Sequence, residues 1–207
     1  MSDEQIKITK APKKKPVNGK RKGSGFELTI GKKLSEVLAP LNFKRTQQSG
    51  AITGGKNARN NHLFSNAALS IFVGDIFPTN EADVEAELGW KFKFSLECKF
   101  YKTADNLDHL FANTKIKGWF EQACTDAAKI GKEPLLIFKF NHTEIFCAVN
   151  SATIDRLPAT LSRSLQLSFP DGRAITVFLL KEAIEDLAWW KVYTKCQSKD
   201  QTLPSSS

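Results

Sequence analysis

The chain has 207 residues, 41% of them hydrophobic, which is enough to bury one compact core, alone or with an appendage. No apolar run approaches the ~18 residues of a membrane span, and no apolar stretch follows the first charges as a secretory signal requires. The formal charge of +8 is concentrated: residues 1–25 carry eight Lys and Arg against Asp3 and Glu4, a net of +6, leaving +2 for the other 182 residues.

That basic segment, "KAPKKKPVNGKRKGSG", has two prolines, no apolar periodicity and a Gly-Ser-Gly exit, so residues 1–24 are expected to form a disordered tail. Lys13, Lys14, Lys15, Lys20, Arg21 and Lys22 can attract a phosphate backbone through counterion release; a solubilising tail or a nuclear import signal is the plainer reading. The four cysteines, Cys98, Cys124, Cys147 and Cys196, are scattered without metal-ligand pairing, which argues against structural zinc. Cys98 and Cys147 sit in apolar runs as small reduced core residues, and a cytoplasmic or nuclear setting without disulfides is expected.

In "FELTIGKKLSEVLAPLNF" the residues Phe26, Ile30, Leu34, Val37, Leu38 and Leu41 recur at helical intervals, with Pro40 closing the helix. The polar, glycine-rich "TGGKNARNNHLFSN" reads as a mobile loop. "AALSIFVGDIF" reads as a strand broken at Gly74 and ended by Asp75, "EADVEAE" as an acidic connector, and "WKFKFSLECKF" as a strictly alternating strand. "ADNLDHLFANTKIKGWFEQACTDAAKIGK" is helix-rich and stops at Gly131, and "EPLLIFKF" and "EIFCAVN" are strands joined by "NHT". Beyond residue 150 the pattern weakens to a strand at "AITVFLL", a last helix at "KEAIEDLAWWKVY" and a frayed tail of about ten residues. The order of elements predicts an α/β fold around a central mixed sheet flanked by helices.

Strand alternation puts Phe92, Phe94, Leu96, Cys98 and Phe100 on one face, the buried one, and Lys93, Ser95, Glu97 and Lys99 on the other. If the two strands pair, Asp75 and Glu97 converge with Lys99 beside them. Two carboxylates within ~4 Å repel by ~4 kcal/mol at a partly shielded site. A fold tolerates that when a divalent cation sits between them, and magnesium takes such ligands together with water and phosphate oxygens. The cation would polarise a phosphodiester and activate water, with the lysine orienting that water or stabilising developing charge. The plainer reading is an ion-paired solvated strand face.

Gly74-Asp75 and then, about twenty residues on, Glu97-Cys98-Lys99 resembles the PD-(D/E)XK nuclease superfamily. With "FKRTQQSGA" upstream and an early helix acid, the pattern is similar to the archaeal-type Holliday-junction resolvases over residues 25–149. The resemblance implies a restriction-endonuclease-like core and a catalytic set of Asp75, Glu97, Lys99, Glu27, Gln122 and Ser49. It further implies metal ligation by Asp75, Glu97 and the Cys98 backbone carbonyl, with Arg45 meeting a phosphate. Glycine stands at 74 where the superfamily name has proline, and residues 150–207 have no counterpart. They are expected to form a C-terminal extension packed on the core or at a dimer interface.

The function implied is a magnesium-dependent DNA endonuclease, manganese being able to substitute, that prefers branched DNA and acts as a C2 homodimer without a membrane partner. If the chain comes from a phage or mobile element it would act in the host cytoplasm; a eukaryotic or viral source would allow the nucleus. The competing readings are another nuclease of this fold, serving restriction, repair or phage replication, and a catalytically silent DNA-binding module. His62, His109 and His142 read as solvated loop residues, and Trp189-Trp190 as core or interface aromatics rather than base-stacking ones.

Overall fold

The computed structural model describes residues 19–46, 68–69, 71–102, 114–152, 154–169 and 171–194. The first helix, α1 (Gly19–Val37), buries Phe26, Ile30 and Leu34 at four-residue intervals, and the stripe continues into Leu38 just beyond its end. It begins inside the segment expected as a tail. Lys22 explains part of this: its ammonium lies 3.8 Å from the Phe100 ring centroid and 2.5 Å from Asn141 Oδ1, which ties the first turns of α1 to the sheet.

Strands β1 (Phe43–Arg45), β2 (Ile76–Pro78), β4 (Phe94–Tyr101), β5 (Glu133–Phe140), β6 (Ile145–Asn150), β7 (Ser164–Ser168) and β8 (Ala174–Leu179) form one sheet in the order β1-β2-β4-β5-β6-β8-β7. Only β4 and β5 run parallel, and α3 (Thr114–Ile130) makes their crossover. Gly131, at φ +64, ends α3 in the left-handed conformation its sequence position suggests. The helices lie on opposite faces. Leu96 and Cys98 of β4 pack with Ile30 and Leu34 of α1, while Leu136 and Phe138 of β5 pack with Ile116 and Phe120 of α3. This is a restriction-endonuclease-like α/β core.

Several local expectations change. Within "AALSIFVGDIF", residues 71–75 form turns and bends and strand begins only at Ile76, so Asp75 precedes β2 instead of ending a strand. Gly74 at φ +72 turns the chain there. "EADVEAE" lies in a helix, α2 (Glu81–Leu88): Glu81 and Asp83 favour its N-terminal dipole, Val84 anchors it, and Gly89 at φ +69 caps it. The alternating strand breaks at Lys93, and β3 (Trp90–Phe92) leaves the main sheet to pair with β9 (Lys191–Tyr193). The face of β4 that bears Ser95 and Glu97 is buried as well, because α3 covers it.

Residues 150–207 contribute to the sheet itself through β7 and β8, and the last helix shrinks to α4 (Leu180–Ala183). After it the chain turns inward. Trp189 and Trp190 are buried against Phe94 and Phe92, and each indole N–H donates to a carbonyl, of Arg156 and Ala183 respectively, at 2.9 Å. Core packing is therefore their role, as the plainer reading held. Among the described residues no helix is long and apolar enough to cross a membrane.

Candidate active site

Asp75 is fixed by backbone and side chain together. Its N–H donates to Leu96 O at 2.8 Å, its carbonyl accepts from Thr46 N at 2.9 Å, and its Oδ2 accepts from Cys98 N at 2.8 Å. The pairing of Ile76 with Leu96 brings Asp75 alongside Glu97, the convergence expected from the sequence. Gly74 makes that approach possible: a Cβ there would stand 2.7 Å from Leu96 O. Its φ of +72 is also closed to proline, whose ring fixes φ near −65°. Glycine is thus what this backbone requires at the position the superfamily name gives to proline.

Glu97 is only 1% exposed and pairs with Leu136 in the parallel ladder, on the α3 face. Its Oε1 accepts from Lys99 Nζ, two residues along the same face, while its Oε2 is buried and, among the described residues, has no hydrogen-bond partner. A buried acceptor left in that state costs about 1–3 kcal/mol. Burial, then the neighbouring Asp75 charge, pushes Glu97 up to about 8 despite Lys99. Burial likewise raises Asp75 to about 6, against the Cys98 hydrogen bond and the Lys99 charge. Burial alone would lower the Lys99 ammonium, but the Glu97 charge and hydrogen bond outweigh it, and the net shift is upward. The two carboxylates thus share a low-dielectric pocket in which both resist ionisation.

Other expected residues fall at different distances from this centre. Glu27, on α1, is close enough for its charge to raise Asp75, and it accepts a hydrogen bond from Arg45 Nε. Gln122 is exposed on α3, and among the described residues no hydrogen bond links it to Asp75 or Glu97. The Cys98 thiol points into the core beneath α1, where burial raises it far above the ordinary thiol range, so it is no nucleophile. Ser49, Lys13, Lys14, Lys15, His62 and His109 lie outside the described residues, as do the side chains of Lys20 and Arg21; His142 sits in the β5–β6 turn.

Two neighbours escaped the sequence reading. Asp126, one turn after Gln122 on α3, raises both Asp75 and Glu97 through its charge and is held by Lys129 at 2.5 Å. Thr46, whose N–H donates to the Asp75 carbonyl, carries a buried hydroxyl that has no partner among the described residues. The four-residue helical spacing from Gln122 could have pointed to Asp126; nothing local marks Thr46.

The donor set suits a hard divalent cation. An orphaned carboxylate oxygen beside a second raised carboxylate gains both ligation and charge neutralisation from one, and magnesium sites commonly use only one or two carboxylates with water. Among the described residues no group of three or more His, Cys, Asp or Glu is gathered for a metal, so a cation here relies on that smaller set.

A seven-stranded mixed sheet with helices on both faces and an Asp/Glu-x-Lys arrangement at its centre has the form of a PD-(D/E)XK nuclease core. Residues 18–170 match the family model described as "Phage putative PDDEXK endonuclease", and with most of its length matched the chain belongs to that family. It is accordingly a nuclease of the PD-(D/E)XK class, a class that generally uses divalent metal ions. No curated protein and no solved structure matches the chain.

Proposed function

We propose that the protein is a magnesium-dependent, structure-selective DNA endonuclease of the resolvase type, with Asp75, Glu97 and Lys99 as its catalytic centre. The observation that carries the catalytic centre is Glu97 Oε2, buried beside Asp75 and, among the described residues, without a hydrogen-bond partner, with Lys99 bonded to the other oxygen. A bound divalent cation supplies Lewis-acid polarisation of the phosphodiester and lowers the pKa of water. Asp75, Glu97 and the Cys98 carbonyl hold it; Mn2+ is expected to serve in its place. Lys99 is anchored by Glu97 so that its ammonium faces the scissile phosphate, where it orients the attacking water and offsets developing charge. Water attacks in line, giving up a proton to solvent as its bond to phosphorus forms, while the P–O3′ bond breaks and the leaving 3′ oxygen takes a proton from solvent.

Glu27 sits at the edge of this centre and fixes Arg45, whose exposed guanidinium meets a flanking phosphate. Gln122 and Ser49 complete the proposed set around the scissile phosphate. Lys13, Lys14, Lys15, Lys20 and Arg21 add sequence-independent attraction to the backbone. Lys22, bound to Phe100 and Asn141, is instead assigned to holding α1. Resolving a four-way junction takes two symmetric cuts and hence a homodimer. The edge strand β7 supports one: Leu165 is 40% exposed there, beside an apolar groove of about 330 Å³ lined by Phe140, Phe146 and Leu179. A phage enzyme of this kind would act in the host cytoplasm.

The family description, a phage endonuclease, is equally met by a second reading: a nuclease of the same chemistry that does not prefer branched DNA. Cleavage of a labelled four-way junction beside a matched linear duplex separates the two. Symmetric cutting of the junction with little duplex cleavage supports the resolvase reading. Equal cutting of both leaves the catalytic centre standing and removes the junction preference.

A further inference from the structure

The face of β4 that carries Glu97 and Lys99 ends in Tyr101, which is 42% exposed. Alternate residues on a strand share a face, and each step of two advances about 6.6 Å. Lys99 and Tyr101 are therefore separated along the strand by about the span of one or two nucleotides.

Its surroundings are those of a built aromatic surface, not a frayed strand end. The Trp119 ring of α3 lies 5.8 Å away, tilted by 49°. Trp119 is backed in turn by Phe138 and Phe140, each at 6.4 Å, and Tyr101 pairs with Phe140 across the β4–β5 ladder. The only described group over the tyrosine ring is the Lys115 ammonium, 4.3 Å from its centroid. Lys115 is exposed on the helix, so a solvent-accessible cation already sits over the ring. An exposed cation–π contact is weaker than a base–aromatic stack, so a nucleobase can displace Lys115 from the ring and leave it to meet the adjoining phosphate.

We propose that Tyr101, backed by Trp119, is a stacking platform for an unpaired nucleobase next to the scissile phosphate. Resting on the nuclease reading above, this names the substrate class of that site: DNA whose bases are unstacked at the cleavage point, as at a branch or in a single strand. A base inside an intact duplex has no face to offer the ring.

The test places 2-aminopurine at successive positions of a branched DNA and of a single strand, each bound to the non-cleaving Glu97→Gln protein, with binding followed separately by anisotropy. Quenching is expected at one or two positions beside the cleavage site. It should be lost when Tyr101→Leu is added and kept with Tyr101→Phe, which retains the ring. In the otherwise wild-type enzyme, Tyr101→Leu should lower kcat/KM on these substrates roughly tenfold, and Tyr101→Phe should restore it. Unchanged quenching and cleavage in Tyr101→Leu, with wild-type activity intact, overturns the platform alone. Absence of cleavage of every DNA by the wild type overturns the nuclease reading and the platform with it.

Discussion

At residue scale, Glu97 and Asp75 are stabilised by protonation in the metal-free fold. Their carboxyls, raised to about 8 and about 6, bind protons more tightly folded than unfolded. For Glu97 the metal-free protein therefore loses stability as pH rises from its ordinary value of 4.5 through about 8. Glu97→Gln removes that titration while keeping an acceptor for Lys99. In EDTA at pH 8 the variant should melt higher than wild type by about 3 °C or more, the effect of ~1 kcal/mol in a domain this size, with the gap closing towards pH 5. Magnesium should stabilise wild type increasingly as pH rises and leave the variant nearly unmoved, because binding takes the deprotonated carboxylates. A wild type that melts higher than Glu97→Gln in EDTA at pH 8 contradicts this electrostatics. Gly74 makes an opposite point about motifs. Gly74→Pro restores the superfamily's proline yet should destabilise by about 2 kcal/mol or more, since φ is +72 and an added Cβ meets Leu96 O at 2.7 Å. Denaturant unfolding of the variant checks it.

At the scale of elements, β4 was legible because strand alternation is a local rule: Glu97 and Lys99 share a face whatever surrounds them. Their burial was not legible, because it depends on α3 covering that face, a contact between segments distant in the chain. Asp126 is illegible for the same reason: its charge reaches Glu97 only because α3 packs on β4. The C-terminal third misled most. Its edge strand β7, exposed at four of five positions, has little apolar signal, and the acid-rich "KEAIEDL" mimics a longer helix than the one turn that forms. Yet β8 pairs with β6 from Phe146 to Asn150, and Trp190 packs on Phe92. Truncation after Asn150 should therefore abolish cooperative unfolding, and Trp190→Ala should cost about 3–5 kcal/mol. A truncated chain with a sharp thermal transition would contradict the role given to β7 and β8.

For the whole molecule, charge is unevenly distributed along the chain. Residues 1–18 hold Lys7, Lys10, Lys13, Lys14 and Lys15 against two acids, while the carboxylates and Lys99 sit within the sheet. Deleting 1–18 should weaken DNA binding at low salt and flatten the dependence of log K on log salt by up to ~4, leaving the melting temperature within about 1 °C. An unchanged salt slope would mean that the sheet and helices alone supply the phosphate contacts. The β7 edge and its groove lie across the sheet from β2 and Asp75, so a pairing of copies there would leave both proposed catalytic centres open.

The most direct test is cleavage of end-labelled branched DNA by wild type and Glu97→Gln, each with magnesium and with EDTA, beside a binding assay on the same samples. Cleavage by wild type only with magnesium, and binding without cleavage by Glu97→Gln, is the expected result. Cutting by Glu97→Gln at the wild-type rate, or by wild type in EDTA, would contradict the catalytic centre assigned to Asp75, Glu97 and Lys99.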